Sequence, residues 1–246
     1  MLNKVPEVTL IFWILKILAT TVGETAADVL STTFNLGTVN TSYVMAALLL
    51  ISLFFQLRAR KYVPPFYWIV VVFISVVGTL ISDNLVDNLG ISLVTTTAIF
   101  TVALVAVFVS WYATEKTLSV HTIVTRGREL FYWAAILFTF SLGTSGGDLL
   151  SERLGLGYPL SAAMFAAAIA LIYFTYRMGK MNEVLAFWLA YILTRPLGAS
   201  IGDMLTQPRT EGGLGFGTIP ISVVFLLVIV GLVAYLTRLE KKATAG

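Results

Sequence analysis

The chain has 246 residues, 58% of them hydrophobic and 12% charged, where a soluble domain carries about 25% charged residues. It bears a net charge of +3 and a mean hydropathy of +0.89, with one histidine and no cysteine. Disulfides, thiolate metal sites and imidazole clusters are thereby excluded, and the basic excess reads as loops on one face of a membrane, not as a nucleic-acid footprint.

Hydropathy predicts eight spans of the roughly 20 residues that cross a hydrocarbon core. The first, 8–30, follows MLNKVPEV with no small-residue cleavage site, so it is expected to be a span and not a removable signal. Spans at 41–57, 66–86 and 92–113 come next. Residues 114–129, TEKTLSVHTIVTRGRE, form the one long polar connection, in which His121 reads as a solvated side chain. Spans at 130–151, 159–177, 184–206 and 218–238 complete the chain. Twelve basic residues fall on one side of these spans: Lys4, Arg58, Arg60, Lys61, Lys116, Arg126, Arg128, Arg177, Lys180, Arg238, Lys241 and Lys242. Only Arg153 and Arg209 fall on the other, so both termini are expected in the cytoplasm.

The odd-numbered spans repeat one pattern. Trp13, Trp68, Trp133 and Trp188 are each followed ten residues later by Gly23, Gly78, Gly143 or Gly198. Fifteen residues after each tryptophan comes Asp28, Asp83, Asp148 or Asp203. Each unit joins such a span to a plainer even one, over approximately 8–60, 63–115, 128–180 and 183–240. With two spans per unit all four run the same way, as parallel repeats about an axis along the membrane normal. The expected fold is all-α: a single transmembrane domain over 1–246, an eight-helix bundle with pseudo-fourfold or pseudo-twofold symmetry. These four tandem two-helix units, each with a tryptophan in its first helix, resemble a family of bacterial integral membrane proteins defined by that repeat and of unassigned function. The resemblance implies the bacterial inner membrane and brings no activity or ligand with it.

Each repeated residue has an expected role. The tryptophans lie near the cytoplasmic ends of their spans, where aromatic belts anchor helices at the headgroups. The glycines let helices approach closely. The aspartates are costly in a membrane and tend to face a cavity on an ion or proton path. Three units add a second acid four residues away: Glu24 with Asp28, Asp87 with Asp83, and Glu152 with Asp148; the fourth offers Gln207 beside Asp203. That spacing stacks carboxylates on one helix face. Ser82, Asn84, Asn88 and Thr144 are candidate neighbouring oxygens. Of the basic residues within spans, Lys16 is expected to snorkel to the cytoplasm and Arg195 to pair with an acid of another unit or hold an internal gate. Pro196 is expected to kink its helix as a hinge.

A ring of oxygens suits a hard cation, a divalent ion such as Mn²⁺ bound by carboxylates, with protons as coupling ions. Transport of such an ion is therefore the leading expectation. A non-transporting sensor or scaffold subunit is the alternative, and an enzyme is not expected, because no nucleophile–base pair is visible. Beyond the bilayer and a small ion no partner is implied, and both monomer and homo-oligomer are compatible with four repeats in one chain.

Overall fold

The computed structural model describes residues 3–245, apart from the side chains of Glu152 and of residues 243–245. All its regular structure is helical among the described residues. Eight long helices are α1 (Leu10–Asp28), α2 (Gly37–Arg58), α3 (Pro64–Asp83), α4 (Leu93–Glu115), α5 (Arg126–Asp148), α6 (Tyr158–Arg177), α7 (Glu183–Thr206) and α8 (Thr218–Ala245). Their starts follow from local chemistry. Thr9, Ser92, Thr125 and Asn182 cap α1, α4, α5 and α7 by accepting backbone N–H bonds, and prolines open α3 where no donor is missed.

Seven of the eight helices are long and apolar enough to cross a membrane. The eighth of the expected spans, α5, falls short in hydropathy, since it opens on Arg126, Arg128 and Glu129 and ends on the glycine- and serine-rich run before Asp148. Its low hydropathy is tolerable because it lies inside the bundle. The odd helices α1, α3 and α7 bury 56–61% of their apolar windows, against 11–17% for the even helices. The odd helices are therefore inner and the even ones outer.

Contacts define how the units join. The inner helices touch in a closed order, α1 on α3, α3 on α5, α5 on α7 and α7 on α1. Each even helix packs chiefly against the odd helix of the following unit: α2 on α3, α4 on α5, α6 on α7, and α8 back on α1. No unit is a self-contained hairpin, so none can bury its inner face alone.

The repeated positions are the seams of this ring. A Cβ added to Gly23 would strike Ser75, one on Gly78 would strike Phe140, one on Gly143 Arg195, and one on Gly198 Thr20. Ser75, Phe140, Arg195 and Thr20 all occupy the position seven residues after the tryptophan of the next unit. Only a hydrogen leaves space for the neighbouring helix at each seam.

The tryptophans are the second seam. Phe12 meets Trp68 (5.9 Å between ring centres), Tyr67 meets Trp133 (5.4 Å), Tyr132 meets Trp188 (6.2 Å) and Phe187 meets Trp13 (5.7 Å). Trp68, Trp133 and Trp188 are at most 4% exposed. This corrects the expected headgroup anchors: the indoles face the neighbouring inner helix and pack into the core. Trp13 is half-buried and borders an apolar cavity of about 580 Å³ between α1, α6 and α7.

Candidate functional site

The ends of the inner helices are irregular at the acids. Asp28, Asp83 and Asp148 each close an α-helix that continues as one wider π-helical turn, Val29–Thr33, Asn84–Asn88 and Leu149–Arg153. Such turns cluster at functional sites, and nothing in hydropathy or spacing announces them. In the fourth unit α7 stops at Thr206, and Gln207 and Pro208 are extended.

These ends frame one cavity of about 200 Å³. Its lining includes Glu24, Asp28, Asp83, Asp87, Asp148 and Asp203, with Ser82, Tyr158 and Gln207. Carboxylates from all four units thus border a single space. Glu152 belongs to the same expected set, but its side chain lies outside the described residues. Two of the expected oxygens point elsewhere: Asn84 donates to Ser42 Oγ (2.8 Å) and Asn88 to Thr38 Oγ1 (2.7 Å), which ties both to α2. Among the described residues no group of three acids is placed to hold a metal ion.

Beneath the cavity lies Arg195, fully buried on α7. Its guanidinium donates to Glu24 Oε2 on α1 (2.6 Å), to Thr144 Oγ1 on α5 (2.7 Å) and to Thr79 Oγ1 on α3. Glu24, Thr79 and Thr144 all follow the repeated glycine of their unit, and Ala199, at the fourth such position, carries no polar group. One cation from unit four is therefore gripped by the matching positions of the other three. The expected partner acid exists, and it is Glu24. α7 runs unbroken through Pro196, whose ring lies against Gly143 and Gly147 of α5.

Lys16 departs from expectation. Its ammonium nitrogen does not snorkel: the residue is 1% exposed, and Nζ lies between the rings of Phe140 (4.1 Å) and Tyr191 (4.2 Å). α1 is an inner helix, so the shortest route from Cα16 leads into the ring and not to a headgroup. Below it are the buried Tyr191, Tyr67 and Tyr132, the last two joined by their hydroxyls at 2.5 Å.

The opposite end of the bundle holds a buried pair that sequence reading missed. Lys4 folds inward to Glu129 of α5, and Gln56 of α2 donates to Glu129 Oε1 (3.0 Å). Lys4 Nζ also donates to the Leu57 carbonyl (3.1 Å). Lys4 reads in sequence as an ordinary basic flank, and only its placement beside two long-range partners distinguishes it. His121 meets Glu183 at 3.2 Å on the surface, as a solvated histidine can.

A polytopic helical protein with membrane-crossing helices, an acid-lined cavity and a buried arginine core is the class these observations define. Four segments, 11–62, 66–117, 131–180 and 186–242, match the family described as Repeat of Unknown Function (DUF347), and the chain belongs to that family. No curated protein and no solved structure matches it.

Proposed function

We propose that this chain is a membrane transport protein for a small hard cation, a divalent ion such as Mn²⁺ moved in exchange with protons. The observation that carries the reading is the single cavity bordered by carboxylates of all four repeats. In this reading the repeats run parallel around a pseudo-fourfold axis. The protein sits in a bacterial inner membrane with both termini cytoplasmic, and the acid cavity faces outward as the ion's entry or exit. The cyclic glycine and aromatic seams support such an axis, and the basic loops support the orientation.

The carboxylates concentrate cations, and the ion is taken with part of its water shell. Arg195 is the barrier on the path. A fixed guanidinium repels a cation at the axis, as pore arginines do. Passage requires Glu24 to exchange Arg195 for the arriving ion, which couples ion binding to movement of α7 against α1. The small residues at the seams around it, Gly143 and Gly147 against Pro196 and Gly198 against Thr20, make α7 the suited mover.

The test is Mn²⁺ flux into liposomes holding the purified protein, with Asp83→Asn and Asp148→Asn beside the unaltered chain. Flux is expected to fall by about tenfold or more in each variant, the scale on which losing one polar partner around a bound metal ion acts. Equal flux in all three would reject a cation path through this cavity and favour a non-transporting sensor or scaffold subunit.

A further inference from the structure

Lys16 is a buried cation left over once Arg195 has taken Glu24. Its Nζ has no hydrogen-bond partner, and the two rings beside it present faces, not oxygens. Ring faces can hold an ammonium, and no carboxylate is paired with Nζ to lock a proton there. The titratable and charged groups around it come from every inner helix. Glu24 lies two turns further along α1, Arg195 and Tyr191 are on α7, Tyr67 is on α3 and Tyr132 on α5; α8 presents no charged residue before Arg238.

These groups are arranged as a column. Toward the cavity are the threonine hydroxyls that hold Arg195. Toward the other end is the Tyr191 hydroxyl, buried with no partner, and then the Tyr67–Tyr132 hydroxyl pair. The Ser75 hydroxyl beside Gly23 is buried and unpartnered as well. Buried polar atoms without protein partners are places where internal water binds, and chains of such groups in membrane proteins carry protons.

We infer that Lys16 is a proton-carrying station on a polar column joining the acid cavity to the opposite end of the bundle. A carboxylic acid in the cavity gives up a proton, the Lys16 amine accepts it on its lone pair, and the ammonium releases it to water and hydroxyls on the tyrosine side. One proton moves per cycle, and no other bond is made or broken. The inference deepens the transport reading and rests on it for what the proton drives.

The full chain in liposomes with a trapped pH-sensitive dye reports proton flux under an imposed pH gradient, with and without external Mn²⁺. Lys16→Met and Lys16→Arg are compared with Lys16→His, each first checked for an unaltered gel-filtration profile. The unaltered protein is expected to exceed protein-free liposomes. Methionine and arginine variants should lose that flux by on the order of a hundredfold, since methionine cannot take a proton and arginine cannot release one. Histidine, which can do both, should restore part of it. An arginine variant that carries protons like the unaltered chain would show a fixed-charge role and overturn the inference, as would an unaltered chain no faster than bare liposomes under either condition. Proton flux that depends on Lys16 while Mn²⁺ stays still would support the station and reject the cation reading.

Discussion

Replacing Glu24 by alanine is expected to destabilise the protein by about 3–5 kcal/mol, because it strands a fully buried guanidinium. Glu24 supplies the carboxylate that neutralises Arg195; Thr79 and Thr144 supply dipoles but no charge. Water cannot replace the lost group cheaply, since Arg195 is fully enclosed by the inner helices. The double variant Glu24→Ala with Arg195→Met should recover most of the loss, because an apolar chain of similar length removes the stranded charge and refills its space. Reversible unfolding in mixed detergent measures both. A double variant as unstable as Glu24→Ala alone would mean that Glu24 acts through packing and not through Arg195.

The second large effect is expected at a seam. Gly198→Leu should cost about 3 kcal/mol or more, since its first side-chain carbon already falls on Thr20 and meets the Ile17 carbonyl oxygen at 3.2 Å. Both contacts are with α1, so the damage lands where the fourth unit closes on the first. Gly231→Leu on α8 provides the comparison, as nothing lies within 4 Å of that position and it is exposed on an outer helix. The same unfolding assay should separate the two plainly. Equal stability of Gly198→Leu and Gly231→Leu would mean that the glycine seam does not hold the ring together.

Sequence periodicity made the repeats legible, because a gap-free spacing of tryptophan, glycine and aspartate within each unit survives any uncertainty about helix ends. It also made the acids legible as a set, since an aspartate in a lipid-spanning segment needs a polar neighbour. The pairing of helices was not legible. Each even helix leans on the next unit's odd helix, a choice made by long-range packing that two adjacent spans cannot reveal. The tryptophans were misplaced for a related reason: aromatic residues near helix ends suit headgroups and interhelical seams alike, and burial decides between them. Lys16 was misplaced, and the partners of Lys4 were missed, because a lysine near a span's end has a default of reaching water. That default fails when the helix is ringed by others, as α1 is, or when the flanking segment folds inward onto Glu129. Arg195 was readable as a cation in need of an acid, while its grip by one position repeated in three units emerged only from the contacts.

The central claim is that carboxylates of all four repeats share one water-filled space. The absence of cysteine makes this directly testable without altering the background. Paired cysteines are placed at opposite units, Asp28→Cys with Asp148→Cys, and Asp83→Cys with Asp203→Cys, and treated with a short bifunctional thiol reagent that does not cross membranes. The account predicts rapid cross-linking within one chain in both pairs. Thiols that each react singly but never join, or that the reagent fails to reach from either side, would contradict it.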